Sequence, residues 1–194
     1  EIPDEIKKTD YPNRRDLTDK LIITIDGIDA KDLDDAVAVE KLDNGNYLLG
    51  VYIADVANYV KEGTFLDLEA FERGTSCYLP DRVIPMLPKK LSNGICSLNE
   101  GVDRLVMACE MEINSLGEIV NSEIFEGIIN SKHRMTYDDV NKIINNDQEL
   151  IDKYQDIYDM ILTANELSKI LNAKREKRGA FMFETPEAKI ILND

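Results

Sequence analysis

Four aspartates fall within ten residues: Asp26, Asp32, Asp34 and Asp35, in Ile25-Asp26-Gly27-Ile28-Asp29-Ala30-Lys31-Asp32-Leu33-Asp34-Asp35-Ala36. Carboxylates this close repel one another, and confinement near a folded core raises the cost. A hard divalent cation offsets it, because Mg²⁺ takes oxygen ligands and commonly completes its shell with phosphate. The residue types therefore point to metal-assisted chemistry on a phosphate ester. An Asp-rich loop is by default a solvated turn, but three features argue against that here. Asp26 directly follows an apolar run, so its carboxylate should emerge at the edge of a rigid sheet. Asp34 and Asp35 are adjacent, with no cation nearer than Lys31. Ala36 begins another apolar run, which pins the loop at both ends. Two other motifs fit poorly. An EF-hand calcium loop finds its glycine in no register, and an Asp-x-Asp-x-Thr phosphotransfer site starting at Asp32 meets Ala36 where Thr is needed.

Strands must carry this loop. Residues 21–25 read as one, delivering Asp26. Apolar runs at 36–42 and 47–53 flank Asp43-Asn44-Gly45-Asn46, whose Asn-Gly step predicts a hairpin. A second hairpin is predicted from 105–113 and 119–129, around Asn114-Ser115-Leu116-Gly117. Helices are predicted over 64–73, with Leu66, Leu68 and Phe71 as apolar positions, and over 137–145. A longer one is predicted over 148–173, where Leu150, Tyr154, Ile157, Ile161 and Leu171 recur at helical spacing. Its basic end, Lys174-Arg175-Glu176-Lys177-Arg178, suits a helix C-terminus capped by Gly179. A last short strand is predicted at 189–192. Residues 78–88 read as irregular and proline-rich. The polar residues 1–20 read as a linker leading into a domain over 21–194. Strands leading, mostly as hairpins, and helices trailing predict an α+β fold: a mixed, largely antiparallel sheet with helices packed on it.

The 194 residues, 43% hydrophobic and 31% charged, suit one globular domain. No apolar run reaches the ~18 residues needed to span a bilayer, so no membrane partner is expected. Glu1-Ile2-Pro3-Asp4-Glu5 lacks the basic and apolar parts of a signal peptide. Cys77, Cys96 and Cys109 form no C-x-x-C and suit reduced thiols in a cytoplasmic protein. The net charge of −15 argues against an autonomous nucleic-acid-binding module. Two escapes remain: bound cations cancel part of the acidic charge, and a basic gripping surface belongs to parts of the protein outside this chain. The lack of a starting Met suits an excised piece.

Taken together, the motifs are identified as those of the ribonuclease II / ribonuclease R family of exoribonucleases. The aspartate stretch resembles the family's catalytic motif. The likeness continues through Val51-Tyr52-Ile53-Ala54-Asp55-Val56 and Tyr78-Leu79-Pro80-Asp81-Arg82-Val83-Ile84-Pro85-Met86-Leu87-Pro88. It carries on through Leu91-Ser92-Asn93-Gly94-Ile95-Cys96-Ser97-Leu98 and Ser131-Lys132-His133-Arg134-Met135-Thr136-Tyr137. The resemblance implies Mg²⁺-dependent hydrolysis of single-stranded RNA from its 3′ end, with Mn²⁺ a possible substitute, releasing nucleoside 5′-monophosphates. It implies that Asp26, Asp32 and Asp35 hold the metals and that cleavage depends most on Asp34, while Asp29 matches no catalytic position. It also implies that Tyr78 packs against the terminal nucleotide and that Tyr137 takes part in choosing RNA over DNA. The family's RNB catalytic domain is longer, so the chain resembles its N-terminal part, without the arginine motif that contacts the scissile phosphate and without the flanking cold-shock and S1 domains. Little activity and some non-native self-association are therefore expected of the chain alone. Arg82 and Arg104 are candidates to approach the RNA backbone; His133 reads as a surface residue and the run at 174–178 as a solvated helix end. The competing readings are a catalytically silent acidic module that binds cations or partners, and an endonuclease or phosphatase using the same metals.

Overall fold

The computed structural model of the chain describes residues 2–181; the strand expected at 189–192 lies outside the described residues. One sheet holds β1 (Arg15–Asp16), β2 (Ile23–Asp26), β3 (Asp35–Lys41), β4 (Tyr47–Ala54), β7 (Asp103–Ile113), β8 (Ile119–Asn130) and β9 (His133–Thr136). A separate small hairpin holds β5 (Cys77–Tyr78) and β6 (Val83–Ile84), within the stretch expected to be irregular. The helices are α1 (Phe65–Arg73), α2 (Tyr137–Ile144), α3 (Gln148–Lys153) and α4 (Tyr158–Lys177). The sheet order is β1-β8-β7-β4-β3-β2-β9, and only the two outermost pairs, β1–β8 and β2–β9, are parallel. This is the mixed, largely antiparallel α+β fold expected from the sequence.

Both expected hairpins form. Gly45 and Gly117 take φ of 84° and 73°, a left-handed backbone that glycine adopts at little cost, and each sits at its predicted turn. Side chains then alternate. Ile23, Ile25, Val37 and Val39 face Val140 and Ile144 of α2 and Met160, Ile161 and Ala164 of α4. The opposite parity puts Ala36, Tyr52 and Ala108 in register across β3, β4 and β7, all buried. Gly50 is required beside them, because a Cβ there would lie 2.3 Å from the Tyr52 hydroxyl. That hydroxyl donates to Glu110 (2.8 Å), which also accepts from Lys20 (2.7 Å).

The structure departs from expectation in three places. The helix expected over 148–173 is broken into α3 and α4. Tyr154 meets the His133 ring edge-on at 5.4 Å, and Asp156 bonds His133 Nε2 at 2.7 Å, so contacts to β9 override helical propensity. Helix α1 forms over its expected span, with Thr64 accepting from the Asp67 N–H. Its predicted apolar face, however, is covered only in part: Leu66 packs against the core, but Leu68 and Phe71 are exposed, and so is Phe65 at 93%. Finally, residues 15–16 of the expected linker join the sheet. Just before them the side chain of Arg14 is buried and paired with the buried Asp55 at 2.5 Å.

Candidate active site

Asp26 and Asp35 are placed by strand register. Asp26 ends β2 opposite Thr136, the last residue of β9. Ile23 lies opposite Val37 in the antiparallel β2–β3 pair, so the end of β2 and the start of β3, Asp35, share one edge of the sheet. The loop between them is fixed through its main chain. Ala30 N–H donates to Gly27 O (3.1 Å), Leu98 N–H to Leu33 O (2.8 Å), and Ala54 N–H to Asp34 O (2.9 Å). The buried Ser97 hydroxyl accepts from Leu33 N–H (3.1 Å) and donates to Lys31 O (3.0 Å). Arg134 donates to the carbonyls of Ile28 (3.0 Å) and Ala30 (2.6 Å). Leu33 is driven into the core at 1% exposure, which leaves its neighbours Asp32 and Asp34 on the solvent side.

The four carboxylates act on one another. Burial, then the charges of Asp35 and Asp32, push the Asp26 carboxyl above the ordinary aspartate range, and only Arg134 opposes them. Asp34 is raised too, first by burial and then by Asp32, Asp35 and Asp26. Asp26 Oδ2 is buried with no hydrogen-bond partner, as is the hydroxyl of Thr24, two residues earlier on the same strand. An orphaned buried carboxylate oxygen in an all-oxygen acidic set suits a hard divalent cation in chemical terms. The side chains are not closed around such a site, since among the described residues no three His, Cys, Asp or Glu groups are gathered as a ready ligand set. Asp32, Asp34 and Asp35 all reach solvent, Asp34 while partly enclosed, and rotamer changes at such positions are fast. The donor chemistry therefore fits; closure is left to side-chain rotation.

Beside the loop runs a cleft of about 860 Å³, lined by Asp32, Tyr78, Arg82, Lys89, Asn93 and Arg134 among others. Tyr78 is 69% exposed there, with its ring free to meet a ligand. Asp26, Asp34 and Asp35 are not part of this lining. Neither is Tyr137, which follows Thr136 at the start of α2, next to the Asp26 end of the sheet, and is exposed. Of the two candidate arginines, Arg82 lines the cleft and pairs with Asp81 (2.9 Å). Arg104 is buried and donates to Ser97 O (2.8 Å) and Asp103 O (2.9 Å), so it braces the loop's support from inside and cannot reach a ligand. His133 is half-buried, held by Asp156 and Tyr154 rather than lying free at the surface. In the basic run, Lys174 reaches Gly117 O (2.6 Å) and its neighbours 175–178 are exposed. Sequence reasoning passed over Ser97 and Arg134. Both lie inside stretches it had singled out, but their partners are main-chain atoms, which leave no pattern in a sequence.

A family model described as RNB domain matches residues 14–194. The chain is 55% identical over its whole length to Ribonuclease R of Thermotoga maritima, and covers 27% of that protein. Among solved structures it superposes on the apo form of Mycoplasma genitalium RNase R with a TM-score of 0.86 at 36% identity, covering 98% of this chain and 30% of that one. The same protein in complex with double-stranded RNA gives a TM-score of 0.85 at 36% identity, covering 98% of this chain and 34% of that one. The chain thus spans about a quarter to a third of the length of the relatives it matches.

Proposed function

The chain belongs to the RNB domain family, and on that premise we propose that it supplies the metal-holding part of a 3′-to-5′ exoribonuclease that hydrolyses single-stranded RNA to nucleoside 5′-monophosphates in the cytoplasm. The observation that carries the reading is the aspartate loop itself: an orphaned, buried Asp26 oxygen at a sheet edge, with the charges of Asp32 and Asp35 close enough to act on both Asp26 and Asp34. The free thiols of Cys77, Cys96 and Cys109 suit a reducing compartment. Among the described residues no helix is long and apolar enough to cross a membrane.

Asp26, Asp32 and Asp35 would hold the divalent cations, Mg²⁺ with Mn²⁺ as a substitute. When bound, such cations activate a water and stabilise the leaving 3′ oxygen of a phosphodiester. The chain's own residues do the rest. Ser97 and the strand ends fix the loop's main chain, so that on binding only side chains need to turn. Tyr78 stacks on the terminal base, worth ~1–3 kcal/mol and indifferent to sequence, which suits a nuclease that must accept any nucleotide. Tyr137, which follows Thr136 at the Asp26 end of the sheet, would test for a 2′-hydroxyl. Asp34 is the carboxylate on which cleavage most depends.

The test is the whole protein carrying this chain, incubated with Mg²⁺ and 5′-labelled single-stranded RNA. Mononucleotides should appear from the 3′ end, and Asp34→Asn should slow their release by at least ~10²-fold, about 2.7 kcal/mol of barrier. Unchanged degradation in that variant would leave the silent acidic module as the better reading. Internal fragments or free phosphate would point instead to an endonuclease or a phosphatase.

A further inference from the structure

One guanidinium nitrogen of Arg134 donates to two carbonyls of the aspartate loop, Ile28 O (3.0 Å) and Ala30 O (2.6 Å). Those carbonyls lie in and just past the turn that Ala30 N–H closes onto Gly27 O. Arg134 is itself fixed. It lies in register with Thr24 on β9, and its own N–H donates to the Glu100 carboxylate at 2.7 Å. Among the described residues it forms no ion pair with any of the four aspartates, although its charge is felt at Asp26. That one nitrogen is committed to main-chain carbonyls, and a charged donor makes such bonds stronger than neutral ones.

We infer that Arg134 is a positioning residue: it holds the backbone of 27–32 in the shape that presents Asp32 beside Asp26, acting through the carbonyls of Ile28 and Ala30. The inference rests on the cation-holding reading of the cluster given above. Two consequences of removing Arg134 have opposite signs. Losing a positive charge near Asp26 by itself tightens the grip on a divalent cation, because like charges repel. Losing the loop's shape weakens it, because the carboxylates must then be ordered at the moment of binding. A role through charge and a role through position are therefore separable by the direction of the change.

The experiment uses the chain itself, with Mn²⁺ as the probe in a calorimetric titration and amide hydrogen exchange read over residues 28–33. In Arg134→Ala, exchange in that segment should accelerate about tenfold and Mn²⁺ should bind about tenfold more weakly, the scale at which a lost outer support acts on a metal site. Arg134→Lys keeps the charge and can donate to the same carbonyls, so it should stay within about threefold of the native chain on both readouts. Unchanged exchange in Arg134→Ala overturns the inference, and so does Mn²⁺ binding that is equal or tighter. Should Arg134→Ala fail to fold by circular dichroism, Arg134→Gln, a neutral donor, decides by the same criteria. A native chain that takes up no Mn²⁺ sinks the cation reading of the cluster; loop exchange alone then decides the role of Arg134, acceleration supporting it and constancy overturning it.

Discussion

Asp34 shows how function and stability pull apart at one residue. Its carboxyl titrates above the ordinary range because burial and three neighbouring aspartates disfavour its charge. The folded chain therefore binds this proton more tightly than the unfolded chain does. The stability it contributes is fully present below the unfolded value of ~3.9 and is lost as pH rises through the higher folded value. Other carboxylates run the opposite way, Asp16 among them, lowered to about 2 chiefly by Thr18. The clean observable is thus a difference. Asp34→Asn should melt with the native chain near pH 3 and be more stable by a few tenths to about 1 kcal/mol at pH 6–7, without divalent cations. Millimolar Mg²⁺ should shrink or reverse that gap. Calorimetric melts across pH check it, and a gap that narrows with rising pH in cation-free buffer contradicts it.

Among the elements, the short edge strand β1 is anchored by several ion pairs, of which Arg14–Asp55 is the buried one. Arg14 and Asp55 are both about nine-tenths buried, and the Asp55 carboxylate also accepts from Asn58 N–H (3.1 Å). Removing the cation strands a buried charge, so Arg14→Ala should cost about 3–5 kcal/mol in urea unfolding. A loss under ~1 kcal/mol would show that water reaches Asp55. The elements also show where a sequence speaks and where it is silent. The hairpins at Gly45 and Gly117 were legible because their turns need a residue that tolerates positive φ. The ends of β2 and β3, hence Asp26 and Asp35, were legible from apolar runs on either side of the loop. The break between α3 and α4 was not, because Tyr154-Gln155-Asp156-Ile157 contains no breaker; its cause, His133, sits on a strand over twenty residues away. The exposure of Phe65, Leu68 and Phe71 was equally hidden, since periodicity marks an apolar stripe without saying what lies against it. The support given by Ser97, Arg104 and Arg134 depends on distant chain segments meeting, which only the fold supplies.

For the whole molecule, uncovered apolar surface is the dominant fact. On the helix-bearing face, Ile53 pairs with Met107 and Cys109 with Ile124, and Ile53, Met107 and Ile124 are exposed beyond the reach of α4. With the α1 stripe and the Val83–Ile84 hairpin strand, also exposed, this is more than a scatter of single residues. The chain alone should self-associate in a concentration-dependent way, and sedimentation velocity in the micromolar range checks it; a monomer at every concentration contradicts it. The parallel pair β2–β9 carries a different consequence. The strand that ends at Asp26 gains its outer neighbour only from residues 133–136, more than a hundred positions later. During translation the early segment must therefore wait. A nascent polypeptide emerging from the ribosome cannot complete the acidic edge until residues 133–136 have been synthesised, about two thirds of the way along this length. A product that stops before residue 133 would thus leave the Asp26 strand without the neighbour that flanks it.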